Sequence, residues 1–594
     1  MRILRVVDDE HGIALVVVLL VVLAVSAIVA GAALLGSSTS LITKYHARQS
    51  VLETVADAGL EEARSLINGS RAQYPDTGYR ALEAGAVVYA ADGSVIPDVK
   101  RSLYVGPTGV TTGQYGVFGS IVAVAEDPQG NRVVRRGEVY QESFSKYAYF
   151  TTVEGNIVFA NNDQIFGPVH SDDVIRIAPS RATFFGPVST HETINGVANG
   201  TFKQGFRERA PFIAMPSTAD LNNLKSQAAV GNMTITSTTA GNPGQATTRI
   251  EFVALDLNSD NDSTDEDEGF IKVYQATLPT NAWWVVADTF QWAGNGPLNG
   301  VRDSPNCGHT DGSAFRTFAA HLVGGSGADS KSIAPGDSTV PGRACYLGGS
   351  DILNDGNRFL PADTRGSWLP WPGVVDPRVT AKDPAHAPFL WPINRVLNPN
   401  FRGVIYVDGK VAVSGKLRGK VTLAATDNIV IADDITYVTN PGAANCADML
   451  GLFGGNDIVV ADNLLNDPIP WLQGQKAVSW DETTDEFIDG FVLALNVFTA
   501  QHYNQGSTNA EYCGATSAGR GCLFLTGGVI QRQRGAVGFT SGQGYVKRYS
   551  YDQCGFTNPP PYFPTTGHFV RGHYFEVDPT GFDVASYWNL LTPH

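Results

Sequence analysis

Residues 13–35 carry no charged side chain, and only Ser26 and Gly31 interrupt a run of Val, Leu, Ala and Ile. At 1.5 Å per residue such a run makes a helix of about 35 Å, enough to cross a hydrocarbon layer of about 30 Å. Lipid offers no partner to free backbone groups, so a helix is the expected conformation. No breaker follows. Val51, Val55, Leu60, Ala63 and Ile67 keep roughly helical spacing further on. The pattern predicts one long helix, apolar at its start and amphipathic later. Three other readings compete: a plain signal anchor, a secretory signal peptide cleaved after Ala30-Gly31-Ala32, and a buried core helix. The run is longer than the 7–15-residue apolar region of a cleaved signal, which counts against the second. Arg2 and Arg5 precede the run, while Lys44 and Arg48 follow it. Flanking charge therefore leaves its orientation open.

Behind this segment the texture is that of a β protein. Only 17% of residues are charged and 64 are glycine, against roughly 25% and 7% in ordinary soluble proteins. The net charge of −16 argues against a nucleic-acid partner, which requires a basic face. Gly119–Ala125 and Arg132–Val139 flank the turn-forming 127–131 (DPQGN), an antiparallel hairpin signature. Arg135-Arg136 reads as a solvated edge.

Two internal repeats follow. Phe166-Gly167-Pro168-Val169 returns as Phe185-Gly186-Pro187-Val188, 19 residues on. Asp427-Asn428-Ile429-Val430 is answered by Asn456-Asp457-Ile458-Val459, 29 residues on. Short β-branched segments separated by Gly, Asp and Asn, as in 403–409, 410–415 and 419–423, are what stacked solenoid rungs require. Residues 491–498 and 522–534 read as later rungs. The fold class expected is mainly β with a long N-terminal helix: a helical stem, a small antiparallel sheet, then a right-handed β-helix or related solenoid with an insertion. A β-sandwich is the alternative. The boundaries read as leader 1–12, stem 13–70, antiparallel head 71–145, first rungs 146–200, insertion 201–400, and main solenoid with C-terminal cap 401–594. The proline-rich 558–564 is expected as an extended strap closing an open solenoid end.

A charged leader ending in Gly12, an apolar helix from Ile13, and the later segment Val55-Ala56-Asp57-Ala58-Gly59-Leu60-Glu61 resemble the stem of type IV pilins, above all the PilX-type minor pilins. The resemblance implies cleavage between Gly12 and Ile13 by prepilin peptidase. It also implies packing against other pilin-like subunits through the helix, and an inner-membrane location before assembly. The fifth mature residue of major pilins is Glu; here it is Val17. The tip pseudopilins of the GspK type also lack that Glu, so a minor or tip role is implied. From Asn156 onward, the Phe-Gly-Pro-Val motifs, 403–415, 428–437 and 527–538 resemble an uncharacterised bacterial domain found behind such stems. No enzymatic activity is carried over from it. The expected function is a filament component displaying a large extracellular β-rich body for adhesion or assembly initiation, with a surface glycan or protein as its ligand. The alternative is a surface-anchored β-helix carbohydrate-active enzyme or glycan-binding envelope protein.

Site candidates are few. Asp256, Asn258, Asp260 and Asp262 alternate, and Asp267 stands twelfth from Asp256. This opening suits calcium, which takes six to eight oxygens; the flanks read as strands. Calcium is the only cofactor expected. Cys307, Cys345, Cys446, Cys513, Cys522 and Cys554 contain no C-x-x-C pair, so disulfides in an exported chain are expected. The assumed pairs are Cys307–Cys345, Cys513–Cys522 and Cys446–Cys554. For a β-helix lyase the candidates are Asp172, Asp173, Asp433, Asp434, Arg532 and Arg534, the two arginines on one side of a strand. His170 with Asp172, and His191 with Glu192, lack a nucleophile motif. Trp283, Trp284, Trp368, Trp371 and Trp391 are candidates for a glycan face, though core packing is the commoner use.

Overall fold

The structure is a computed structural model. It describes residues 10–108, 118–160, 163–239, 246–276, 366–384, 386–441, 445–460, 486–501, 503–504, 511–512, 518–519, 522–539 and 543–592. The chain divides into two compact units.

The first unit is built on helix α1 (Glu10–Gly69). Its apolar first half lies bare: Leu15 through Leu35 are exposed apart from the half-buried Gly31. Its second half buries Leu52, Val55, Ala56, Leu60, Ala63 and Ile67. These fall at i, i+3/i+4, i+8 and so on, one face of a helix. Leu52 replaces Val51 in the stripe, because Val51 faces solvent. The face lies on an antiparallel sheet of β1 (Arg80–Tyr89), β2 (Val95–Pro107), β3 (Phe118–Glu126) and β4 (Arg132–Ser143). The β3–β4 hairpin turns at 127–131 as the sequence predicts. Gly59 lets the helix approach: a Cβ there would stand 2.8 Å from Leu103 and 2.9 Å from Arg101. Arg135 is not on a solvated edge. It is buried, 3.4 Å from Asp57 and 3.2 Å from Glu576, under the ring of Tyr574.

The second unit is a parallel β-solenoid. Its chain order is β5 (Tyr149–Val153), β6 (Asp163–Ile165), β7 (Val169–Ser171), β8 (Ile175–Arg176), β9 (Ala182–Phe184), β10 (Val188–Thr190), β11 (Ile194–Asn195), β12 (Gly200–Phe202) and β13 (Phe206–Arg207). Helix α2 (Thr218–Val230) follows, then β14 (Thr234–Thr236), β15 (Thr248–Ala254), β16 (Gly269–Ala276), β17 (Gly366–Trp368), the short helix α3 (Pro377–Lys382) and β18 (Trp391–Pro392). Next come β19 (Val404–Asp408), β20 (Val411–Leu417), β21 (Lys420–Ala425), β22 (Ile429–Tyr437), β23 (Met449–Gly454), β24 (Ile458–Val460) and β25 (Glu486–Ala500). The unit closes with β26 (Glu511–Tyr512), β27 (Ala518–Gly519), β28 (Cys522–Gln533), β29 (Val546–Ser550) and helix α4 (Cys554–Thr557).

Both sequence repeats are rung repeats. Val188 pairs with Val169 in parallel, and Ile458 with Ile429. A β-sandwich is therefore excluded, since its sheets are antiparallel. Identical residues stack along the axis: Phe166 on Phe185 at 4.2 Å and Phe184 on Phe202 at 5.3 Å, with Phe159 meeting Phe184 edge to face at 5.2 Å to extend the aromatic ladder. Turn side chains bind successive rungs, with Asn428 Oδ1 accepting from Asp457 N and Asp457 Oδ1 from Asn496.

Spatial order is not chain order. One face runs β14–β19–β21–β23–β25–β28 and then continues β5–β7–β10–β13, all parallel. The first rungs thus stack beyond the last ones. To permit this, 208–233 travels back along the side. Ala210 N donates to Thr190 O, and Ile213 N to Asp172 Oδ1. Helix α2, opened by a Ser217/Asp220 capping box, then places Lys225 beside Asp408 and Tyr406. The stretch expected as an insertion consequently supplies rungs: β14 and β15 pair in parallel with β19 and β20. Their polar, Thr-rich sequence hid that role.

The strap 558–564 does not close an end. It crosses the side of the rungs, where Gly403 and Gly451 leave a trough for Pro560, Pro561 and Phe563, and Thr422 donates to Pro561 O. Beyond it, β30 (Thr565–Val577) takes the chain back to the first unit as the fifth strand beside β4. Helix α5 (Val584–Leu591) buries Trp588 against Val122, Val124 and Val134 on the sheet face opposite α1. The last residues therefore complete the head rather than cap the solenoid. A five-stranded sheet with α1 on one face and apolar residues on the other requires such a cover.

Candidate functional site

The exposed half of α1 is the most distinctive surface. Its best 18-residue window has a mean hydropathy of 3.1 and none of it is buried. The core-helix reading is thereby excluded. Beyond Leu35 the polar side chains do not interrupt the helix. Ser37, Ser38, Thr39 and Thr43 donate to the carbonyls of Leu34, Leu35, Leu35 and Thr39. A hydroxyl bonded back into its own helix costs little in an apolar setting. Basic and amphipathic groups then follow at Lys44, Tyr45 and His46. Gly12 and Ile13 lie within the helix.

At its other end the stem is locked into the head. Arg101 is buried between Glu62 of α1 at 2.5 Å and Glu83 at 2.8 Å. Asn68 clamps the backbone of Phe569 through both halves of its amide, at 2.9 and 2.7 Å. The helix thus has two surfaces: an exposed apolar one in its first half and one built into the sheet in its second.

The remaining candidates make the following contacts. The acidic loop does join two strands, β15 and β16, as the sequence suggests. Lys382 binds Asp256 at 3.2 Å and Arg378 binds Asp267 at 2.7 Å, while Asn258 donates to Asp260 and Asp265. Asp262 instead holds Thr264. Among the described residues no three acidic, His or Cys side chains are placed to hold a metal. Arg532 and Arg534 do not share a face. Strand β28 ends at Gln533, so Arg534 turns inward to Glu154 at 2.9 Å over the Phe159 ring, and Arg532 stays exposed.

His170 is buried against Phe150, between Ser189 at 2.8 Å and Asp172 at 3.1 Å. Asp172 also receives Ile213 N, and Ser189 Oγ lies 3.3 Å from Val169 O. This relay pins the returning segment to the rung. Asp173 accepts from Glu154 N and Val174 N, and Asp434 from Phe487 N. His191 bonds Ala210 O while Glu192 pairs with Arg209. Trp371 and Trp391 are core residues 5.4 Å apart. Trp283, Trp284 and the Trp368 and Asp433 side chains lie outside the described residues.

Burial pushes the Asp489 carboxyl up to about 6, although Tyr437 N donates to it. Cys446 and Cys554 form a disulfide with a Cα separation of 5.4 Å. Cys522 is disulfide-bonded too. Cys307, Cys345 and Cys513 fall outside the described residues. Sequence reading missed Asn68 and the buried Arg101; both partner residues distant in the chain.

No family model matches the chain, and no curated protein matches it. Among solved structures it is similar to the competence-associated pilin ComZ from Thermus thermophilus, at 12% identity and a TM-score of 0.28, over 88% of this chain and 96% of that one.

Proposed function

We propose that the chain is a minor pilin-like subunit of a type IV pilus or related secretion filament, anchored in the inner membrane before assembly and carrying a large exported β-rich body. One observation carries the reading: a single 60-residue helix is bare and apolar in its first half and built into an antiparallel sheet in its second. An exposed apolar rod of this length needs lipid or neighbouring helices around it. Val17 carries no charge into that environment, whereas an intramembrane carboxylate would need a partner. The Cys446–Cys554 disulfide suits an oxidising compartment outside the cytoplasm. Partners are other pilin-like stems; the body serves adhesion or assembly initiation, not turnover.

The test is N-terminal sequencing of the membrane-extracted protein. A mature start at Ile13, abolished by Gly12→Asp, is expected. Cysteines introduced singly at Leu19 or Leu23 should then cross-link to a second pilin-like subunit. A soluble product beginning at Ala33 would overturn the proposal.

A further inference from the structure

The two ends of the solenoid are unlike. At one end β15 is covered by the antiparallel β16, which itself carries β17 and β18. At the other, the last rung is bare among the described residues. Among the described residues β11 pairs only with β8, β12 only with β9, and β13 only with β10. Among the described residues no helix covers these three edges, and no proline lies in 194–209 to block them. Residues 203–209 are exposed throughout. Phe206, 4.8 Å from Phe202 at the top of the internal aromatic ladder, is itself 45% exposed, and nearby Phe212 is 51% exposed.

The charges at this end are sorted. Glu192 is paired with Arg209 at 3.0 Å, and Glu208 accepts Ile194 N at 2.7 Å, so both acids are engaged within the rung. Lys203 and Arg207 are exposed, and their side chains have no partner among the described residues. The free charge is therefore basic, on a chain whose net charge is −16.

We propose that this bare rung is a docking edge for an extended acidic segment of a partner protein, which adds a strand to β12 or β13 and covers Phe206. The inference does not depend on the stem reading. Open ladder groups are satisfied by a polypeptide backbone at strand spacing, which a polysaccharide does not supply. Lys203 and Arg207 disfavour pairing of two copies edge to edge, because like charges would face each other. The same residues attract a strand bearing Glu or Asp.

The full chain in detergent micelles is titrated with a fluorescent octapeptide of alternating Val and Glu, and with a peptide of equal charge in which Pro replaces each Val. The first should bind and the second bind at least about tenfold more weakly, since Pro cannot donate to a ladder. Lys203→Glu with Arg207→Glu should lose at least about tenfold for the Val–Glu peptide, with the circular dichroism and thermal midpoint unchanged because both side chains are exposed. Equal binding of the two peptides would reduce the edge to unspecific charge attraction and overturn the proposal. So would binding of polygalacturonate in place of the peptide, self-association abolished by the double reversal, or no binding of either peptide.

Discussion

At the scale of single residues, the solenoid holds a carboxyl in a place where its charge is unwelcome. Asp489 has its pKa lifted from 3.8 to about 6 by burial. A group whose folded value is raised adds stability that is complete below its unfolded value, near pH 4, and lost as pH rises through 6. Above pH 6 the folded protein therefore holds an unfavourable charge. Asp489→Asn keeps an oxygen for Tyr437 N and should stabilise by about 1 kcal/mol at pH 7.5, with the advantage vanishing near pH 4. Thermal midpoints of both proteins across that range decide it; a gap independent of pH would mean the charge is not the cause. Gly451 makes a steric counterpart. A Cβ there would lie 2.5 Å from the Phe563 ring. Gly451→Val should displace the strap, costing about 1–3 kcal/mol, and expose 558–564 to limited proteolysis under native conditions. Unchanged resistance would sink this account.

At the scale of elements, local signals were readable and their partners were not. The long helix, the β3–β4 hairpin, the rung repeats at Phe166/Phe185 and Ile429/Ile458, and the strands flanking the acidic loop all announce themselves by period or turn chemistry. What the period does not encode is which side of an element finds a neighbour. Arg135 looks like a surface charge until α1 brings Asp57 to it. Arg534 looks like a partner of Arg532 until the strand ends one residue earlier. The acidic loop's spacing suits a cation, yet Arg378 and Lys382, more than a hundred residues on, bring positive charge of their own. The stem's apolar run was legible because a membrane-length stretch needs no partner in the chain to be recognised. In the head, Trp588 is the test of an element that sequence reading assigned elsewhere. It is 2% exposed and donates to Pro107 O. Trp588→Ala should destabilise the head by about 3–5 kcal/mol, measured as a lower denaturation midpoint. A shift below about 0.5 kcal/mol would show that the sheet does not need α5.

At the scale of the whole molecule, the chain enters its solenoid in the middle. It builds outward from β5 to β13, travels back beside its own rungs, and winds from β14 to β28 until it meets β5 again. Each rung buries its inner face only against neighbours, so local stability follows spatial position, not order in the sequence. The seam is well made: Val529 pairs with Tyr149 and Ile530 with Phe150, and Arg534 N donates to Val153 O across it. Strand β5, first in sequence, has rungs on both sides, whereas β12 and β13 end the stack. Hydrogen exchange should therefore protect 149–153 as strongly as 523–531, with 200–207 exchanging orders of magnitude faster although only some fifty residues away. A solenoid folding as a chain-ordered array would protect 149–153 and 200–207 alike and release both before β28. That pattern would mean the seam is weak and the two stacks are separate cooperative blocks. Equal protection of β5 and β28 would mean that the returning segment 208–233, held at Thr190, Asp172 and Asp408, lets a chain that starts in the middle close one continuous core.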